Sequence, residues 1–303
     1  MPQNVAATVR TFAPEFWGQI DAFEKLCGGT YRFNAVERRA VAGVRQHIEK
    51  AVVFRRLADR LRPGVDFDRE EAEAQGFTAA ENSRELAAVV EASLIEVYAS
   101  VDCAAKVLRA VFKRARGLKE STRGMFQKSD LIGGEFPDAL KEAIRGASWF
   151  ERLVFLRDEL THLGAGFCRL PPGTDKVVYM HPGIRVQGQA FSVPDILTWL
   201  DWLLDQVNGF HGQVFAHLRG TLSNTPVPIL CGLLEGRGLL RLVDPTQPMD
   251  WSNGVCQSWQ WFEKEDMPMC PFTDGCGAYA RAKMQAVSTG PGTLPEAEAG
   301  AGT

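Results

Sequence analysis

Residues 149–163, WFERLVFLRDELTHL, decide the fold, because an apolar helical pattern here carries Arg157, Asp158 and His162 within two turns. Upstream, residues 136–138 supply a proline and an acid suited to a first helical turn. Gly164 ends the pattern. Between these limits apolar residues recur at helical spacing, at Leu140, Ile144, Trp149, Leu153, Leu156, Leu160 and Leu163. We therefore predict one long amphipathic helix over residues 136–163.

Three side chains near the end of this helix can carry chemistry. Asp158 and His162 are four residues apart, so they lie on one face of the helix. Arg157 and His162 are five residues apart and diverge by about 140° at roughly 100° per residue. The arginine must therefore reach around the helix or towards a second molecule. The histidine is suited to general acid/base catalysis near neutral pH.

Arg157, Asp158 and His162 resemble the signature of the HEPN domains, in which a polar residue and a histidine follow an arginine on a helix of a bundle. The resemblance covers roughly residues 36–220 by helix layout. It implies a HEPN-like helical bundle. Alternating residues within the bundle predict a short β-hairpin insert, and the residues after 222 predict a small C-terminal, β-containing appendix rich in Cys and Trp, so the predicted fold class is mainly α. Active members of the family are metal-independent endoribonucleases that work as dimers, and other members only bind nucleotides or partner proteins.

An alternative interpretation of the same residues needs no activity. His162 would cap the C-terminal end of the helix, where a positive charge is favourable against the helix dipole. Arg157, Asp158 and the neighbouring Glu159 would then form an exposed charged cluster. Short motifs of this kind also occur by chance, so the structural context must decide between the two interpretations.

The composition indicates a soluble, cytoplasmic protein. The chain has 303 residues, 45% of them hydrophobic, which is ample for a core. No apolar run approaches the roughly 20 residues that span a bilayer, and the N-terminus lacks the pattern of a signal peptide. Seven cysteines, an odd number, suit a reducing compartment better than a disulfide framework.

The predicted organisation has four parts. These are an irregular N-terminal extension at residues 1–35, a helical bundle at 36–222, a small C-terminal region at 223–287 and a disordered tail at 288–303. Helices are predicted at residues 35–61, from 78–83 to before Gly117, at 136–163 and at 192–218. A β-hairpin over 176–187 would turn at His181, Pro182 and Gly183, and strands are predicted at 228–234 and 238–243.

A run of basic residues precedes the motif helix although the net charge of the chain is −3. The predicted RNA-binding residues are Lys106, Arg109, Lys113, Arg114, Arg116, Lys119 and Arg123, with Lys128 at the end of the run. Their local field could hold a phosphate backbone. The alternative is the solvated face of a long helix and its following loop, which is the commoner fate of such runs.

The C-terminal region carries a candidate metal site at Cys256, Cys270 and Cys276. Residues 270–279 resemble the closing half of the cysteine motif that holds a 4Fe-4S cluster in DNA adenine glycosylases, but the first two ligand cysteines at their proper spacing are missing. A fourth ligand would have to be Cys231 or a more distant group, and the paired spacing typical of zinc is absent. These cysteines therefore have two interpretations. They bind an iron–sulfur cluster or zinc, or they are packed thiols without a metal.

Three functions remain open at this stage. In the first, a homodimer cleaves RNA without a metal or other cofactor: His162 moves the proton of a ribose 2′-hydroxyl, Arg157 helps to hold the phosphate and Asp158 orients the imidazole. The resemblance alone implies a toxin or defence setting, with an antitoxin or other protein partner. In the second, the same fold binds a nucleotide or partner without turnover. In the third, the chain is an adaptor with a metal-binding C-terminal segment.

Overall fold

A computed structural model of the chain describes residues 9–11, 18–186, 189–234, 237–250, 253–264 and 269–289. The helices are α1 (Gln19–Leu26), α2 (Ala35–Leu61), α3 (Gly64–Gln75), α4 (Glu81–Val111), α5 (Thr122–Gln127), α6 (Asp138–Arg145), α7 (Phe150–His162), α8 (Ile196–Arg219), α9 (Trp259–Phe262) and α10 (Gly277–Thr289). The strands are β1 (Val9–Thr11), β2 (Phe167–Arg169), β3 (Val178–Val186), β4 (Gln189–Val193), β5 (Val227–Leu234), β6 (Arg237–Val243) and β7 (Val255–Cys256). The predicted mainly α class is confirmed. Among the described helices, none combines the length and apolar character needed to cross a membrane.

The chain divides into two compact units. Phe33–Leu218 forms a helical unit, and Met1–Arg32 joins Arg219–Thr303 in a second, terminal unit. The boundaries lie within a few residues of the predicted limits of the bundle. The first residues were predicted to be an irregular extension, but residues 19–26 form α1 and belong with the C-terminal region.

Two long helices form the centre of the helical unit. Asn34 caps α2: its side-chain oxygen accepts hydrogen bonds from the backbone N–H groups of Val36 and Glu37, each at 2.9 Å. Glu37 completes a capping box by accepting from the Asn34 backbone N–H at 2.8 Å. α4 buries a stripe at helical spacing, which includes Leu86, Val90, Leu94, Val97, Val101 and Leu108. α2 packs against α4, and both match the predicted helices.

The helix predicted over residues 136–163 is two helices, α6 and α7. The chain leaves the helical path at Gly146, whose backbone N–H still bonds the Glu142 carbonyl at 2.8 Å while its carbonyl accepts from Ser148 at 2.9 Å. Glycine and serine are poor helix formers, so a break here is inexpensive. The turn allows Phe150 to stack on Phe126 of α5, with ring centroids 3.8 Å apart. Burial of this aromatic pair therefore favours two helices over the single helix that the apolar period predicted.

A small antiparallel sheet in the order β2-β3-β4 follows α7. The predicted hairpin turn at residues 181–183 is wrong, because these residues lie inside β3. The pairing of β3 with β4 shifts register between His181 and Arg185. A bulge of this kind accommodates Pro182, which has no N–H for the ladder. The connection between the two strands falls at residues 187–188, outside the described residues.

Helix α8 closes the helical unit and begins later than predicted. Residues 192–193 belong to β4, and Asp195 caps the helix by accepting from the Thr198 backbone N–H at 3.2 Å. The buried face of α8 includes Ile196, Leu200, Leu203, Val207, Phe210, His211, Val214, Phe215 and Leu218.

The terminal unit is built on an antiparallel sheet in the order β1-β5-β6-β7. Strands β5 and β6 confirm the two predicted C-terminal strands. Leu234, Leu239, Cys256, Phe262, Tyr279 and Ala282 form a buried cluster beside this sheet. The predicted disordered tail began at residue 288, but α10 continues to Thr289. Residues 290–303 lie outside the described residues.

Candidate active site

The motif residues occupy the last two turns of α7. Arg157 and Asp158 are about one third exposed, at 32% and 31% of their side chains. His162 is the last helical residue and is exposed. Among the described residues no hydrogen-bond or ion-pair partner reaches its ring. The imidazole is therefore open to a ligand, and its place at the end of α7 also fits a favourable interaction with the helix dipole.

Asp158 is bound by two arginines. Arg157 Nη1 donates to Asp158 Oδ1 at 2.9 Å, and Arg123 of α5 pairs with the other carboxylate oxygen, Oδ2. Both oxygens are thus engaged by guanidinium groups rather than by the imidazole of His162. The expected orientation of the His162 ring by Asp158 is not formed in the single chain. Instead Asp158 links the motif helix to Arg123 of the basic run.

Arg157 turns away from His162 and packs on α4. Its guanidinium carbon lies 4.7 Å from the centre of the Tyr98 ring, a cation–π contact. Burial raises the pKa of Tyr98, and the nearby Asp102 carboxylate adds to this effect. The phenol is therefore neutral at physiological pH and can donate a hydrogen bond. The direction of the Arg157 side chain, towards Tyr98, agrees with the angular divergence of positions 157 and 162 on one helix.

Asp102 forms a second polar centre beside Tyr98, one helical turn further along α4. It accepts from the Thr122 hydroxyl at 2.5 Å and pairs with Lys106 Nζ at 2.7 Å. Burial opposes ionisation of Asp102, but the hydrogen bonds from Lys106 and Thr122 outweigh it and hold the pKa of this carboxyl below its ordinary value. Burial lowers the pKa of Arg109, which lies near Asp102 and is half-buried.

The predicted RNA-binding residues fall into two groups, those that are paired or half-buried and those that are exposed without an acidic partner in the described residues. Lys106 pairs with Asp102, Lys113 pairs with Glu37 at 2.9 Å, and Arg109 is half-buried. Helix α4 ends at Val111, so the rest of the run lies on the following loop and on α5. There Arg114 and Arg116 are exposed, Lys119 is half-buried and Arg123 meets Asp158. The structure therefore brings one member, Arg123, directly to the motif helix.

Sequence reasoning missed Tyr98, Asp102 and Thr122, which link the basic run to α7. A signal for two of them was present. Tyr98 and Asp102 are polar residues one turn apart on α4, and Lys106 continues the same row. Thr122 lies 20 residues further along the chain and has no local signal.

The loop after His162 is held by α4 and β3. Glu91 Oε1 accepts from the Gly166 backbone N–H at 2.6 Å and from the Tyr179 hydroxyl at 2.8 Å. A Cβ at residue 166 would lie 2.3 Å from the Tyr179 hydroxyl oxygen, so only glycine fits there. The buried His181 ring also hydrogen-bonds the Gly164 carbonyl through Nε2 at 3.0 Å. These contacts fix the chain immediately beyond the motif.

Replacing Glu91 tests this anchoring. Glu91→Leu leaves the buried Tyr179 hydroxyl without its acceptor and is expected to lower the free energy of unfolding by about 3 kcal/mol. Glu91→Gln keeps an acceptor oxygen and should lose less than half of that amount. Urea unfolding followed by circular dichroism measures both variants. Equal stability of Glu91→Leu and the wild type would show that the anchor contributes nothing.

The cysteines of the candidate metal site lie in the terminal unit. All seven cysteines of the chain lie within the described residues, and none forms a disulfide. Cys256, Cys270 and Cys276 line one small cavity together with Cys231. In the part of the chain that the structure describes, no three His, Cys, Asp or Glu side chains are arranged to hold a metal ion. The predicted metal site stays a prediction at this point.

Comparisons with known proteins give no further assignment. The chain has no match among protein-family models, curated proteins or solved structures.

Proposed function

We propose that the protein is a metal-independent endoribonuclease that acts as a homodimer, in the manner of the HEPN domains it resembles. One observation carries the proposal: His162, whose imidazole is open to a ligand, ends α7 beside a charged network. In this network Arg157 and Asp158 of α7 join Arg123 of α5. The bundle around α7 and the anchored loop after it would hold these groups in place.

The chemistry follows from the groups available. The ribose 2′-oxygen attacks the adjacent phosphorus, the P–O5′ bond breaks, and a 2′,3′-cyclic phosphate and a 5′-hydroxyl result. His162 takes the 2′-hydroxyl proton or gives a proton to the leaving 5′-oxygen. A guanidinium from Arg157 stabilises the charge that develops on the phosphate oxygens. The nucleophile belongs to the substrate and lies beside the phosphorus, so positioning supplies much of the rate enhancement.

A second copy of the chain would complete the site. In one chain Arg157 points to Tyr98 while His162 faces solvent, so the two side chains do not act on one phosphate from the same helix. Phe155 and Leu163 of the same segment are 42% and 78% exposed, which leaves apolar surface on and beside α7 for a partner helix. Two α7 helices packed together would bring His162 of each copy towards Arg157 of the other.

RNA would approach from the side of the basic loop. Arg114 and Arg116 are exposed, and among the described residues no ion pair neutralises either of them. Arg123 continues this positive charge to Asp158 on α7. Phosphate contacts of this type are independent of sequence and weaken with salt. A toxin or defence setting, with an antitoxin or another controlling partner, would suit such an activity.

Incubation with a mixed RNA pool in EDTA tests the proposal. The wild type is expected to produce fragments with 2′,3′-cyclic phosphate and 5′-hydroxyl ends at an unchanged rate when EDTA is present. A double variant, Arg157→Ala with His162→Ala, purified identically, reports any contaminating nuclease. Cleavage that EDTA abolishes, or that the double variant performs equally well, would refute the proposal.

A non-catalytic, nucleotide-binding protein is the second candidate. The ion pair between Arg157 and Asp158 favours it, because it partly neutralises the guanidinium that would hold the scissile phosphate. In that case no RNA is cleaved, while a nucleotide that displaces Asp158 from Arg157 binds to the wild type and not to the double variant.

A further inference from the structure

Four cysteines meet at one place in the terminal unit, although they are far apart in the sequence. Cys231 lies on β5 and Cys256 lies on β7. Cys270 lies in the turn before α10, and Cys276 immediately precedes that helix. Together they line a cavity of about 30 Å³. Its remaining lining is mainly apolar, with the buried Arg241 as the charged exception. Four thiols that line one cavity supply the residue types that zinc and iron–sulfur centres use as ligands.

The backbone directs these thiols inward by two local irregularities. The pairing of β5 with β6 shifts register between Leu230 and Gly232, so Cys231 is the extra residue of a bulge. Bulges re-aim side chains and are common beside functional sites. Cys270 begins a compact turn in which its carbonyl accepts from the Thr273 N–H at 3.1 Å. This turn places Cys270 and Cys276 on the same cavity.

Without a cation, the surroundings of these thiols disfavour the thiolate form. Burial raises the pKa of Cys231 and of Cys256 to about 11, and the other thiols of the cavity add to this effect. Arg241 acts in the opposite direction on both. Burial likewise raises the pKa of Cys270, opposed by a hydrogen bond from the Phe272 backbone N–H. A bound cation removes the cost of charging neighbouring thiols, because metal ligation deprotonates cysteine.

We propose that Cys231, Cys256, Cys270 and Cys276 bind a thiophilic metal centre, a zinc ion or an iron–sulfur cluster. Both take four cysteine thiolates as ligands. In the described residues the four cysteines line one cavity, but their sulfurs are not arranged as the ligands of a metal ion, so metal binding requires these side chains to reorient. Each thiol releases its proton to solvent as it binds. The Arg241 guanidinium then offsets part of the negative charge of the thiolates.

The size of the neighbouring core gives this centre a structural role. The buried cluster beside the cavity contains six residues, and Cys231, Cys270 and Cys276 pack against it. A cluster of this size contributes little stability by itself, and a structural metal beside it would add to the stability of this part of the unit. The metal would join the bulge of β5, the edge strand β7 and the turn before α10.

Metal analysis of the full-length protein tests the site. Protein purified without oxygen is assayed for zinc, iron and acid-labile sulfide. We expect about one zinc per chain, or iron and sulfide in equal amounts with visible absorption. Serine replacements at the four cysteines, one at a time, should each lower the metal content about tenfold or more. Cys103→Ser on α4 is the matched control and should keep the metal content of the wild type.

A second measurement covers variants that fail to fold. Wild-type protein freed of metal by a chelator is offered Zn²⁺, or Fe³⁺ with sulfide and a thiol reductant, and should regain zinc or iron with sulfide in stoichiometric amount with a rise in melting temperature. Zinc uptake identifies a single-ion site, and uptake of iron with sulfide identifies a cluster. Wild-type protein that contains neither and takes up neither would overturn the proposal. Equal metal loss in Cys103→Ser and the four variants would also overturn it.

Discussion

His162→Ala is expected to lower the rate of RNA cleavage by about 10²–10⁴-fold, the usual contribution of a general acid or base. The exposed ring at the end of α7 makes no hydrogen bond or ion pair within the described residues, so its removal costs the fold little. Helix content and unfolding midpoint should therefore stay at wild-type values. The measurement is a single-turnover cleavage rate on one defined RNA, together with circular dichroism of both proteins.

His217→Ala is the matched control for this variant. His217 lies on α8 in the same unit, is partly exposed and takes no part in the charged network of α7. Its replacement should leave the cleavage rate within about twofold of the wild type. Retained cleavage in His162→Ala, or an equal loss in His217→Ala, would remove His162 from the mechanism and return α7 to the role of a capped structural helix.

The sequence predicted the positions of the motif residues on one helix, but not their partners. The spacing of residues 157, 158 and 162 fixes their relative directions, and the structure keeps Arg157 and His162 apart as that spacing requires. The contact of Asp158 with Arg123 joins residues 35 positions apart. No local pattern encodes such a contact, because it depends on how α5 packs against α7. The same holds for Thr122 and Asp102.

The fold shows a similar division between local and non-local information. Periodicity predicted α2 and α4, whose apolar stripes repeat without interruption. It failed at Gly146, where burial of Phe150 against Phe126 favours a turn over a continuous helix. It failed again at Pro182, since a proline and a glycine inside a strand resemble a turn until the bulge that accommodates them is seen. The gathering of Cys231 with Cys276 depends equally on sheet register.

The stability of the helical unit should fall steeply in acid because of one buried histidine. His211 on α8 is 0% exposed, and among the described residues neither ring nitrogen has a hydrogen-bond partner. Burial lowers the pKa of its imidazole from 6.5 to about 3. The unfolded chain, with an ordinary pKa of about 6.5, therefore binds the proton more tightly than the folded chain does. The stability that the neutral His211 ring contributes to the fold is full above pH 6.5 and is lost progressively as the pH falls towards 3.

The size of this effect follows from the linkage between protonation and folding. Each pH unit below the unfolded pKa costs at most about 1.4 kcal/mol, so His211 alone should remove about 2 kcal/mol between pH 7 and pH 5. His211→Phe keeps an aromatic ring beside Phe210, whose ring centroid lies 5.7 Å away, and removes the titrating group. Urea unfolding at several pH values should show a flatter profile for this variant, whereas His217→Phe should follow the wild type. Parallel profiles for His211→Phe and the wild type would mean that the buried ring is protonated as easily when folded as when unfolded, and that other groups cause the acid sensitivity.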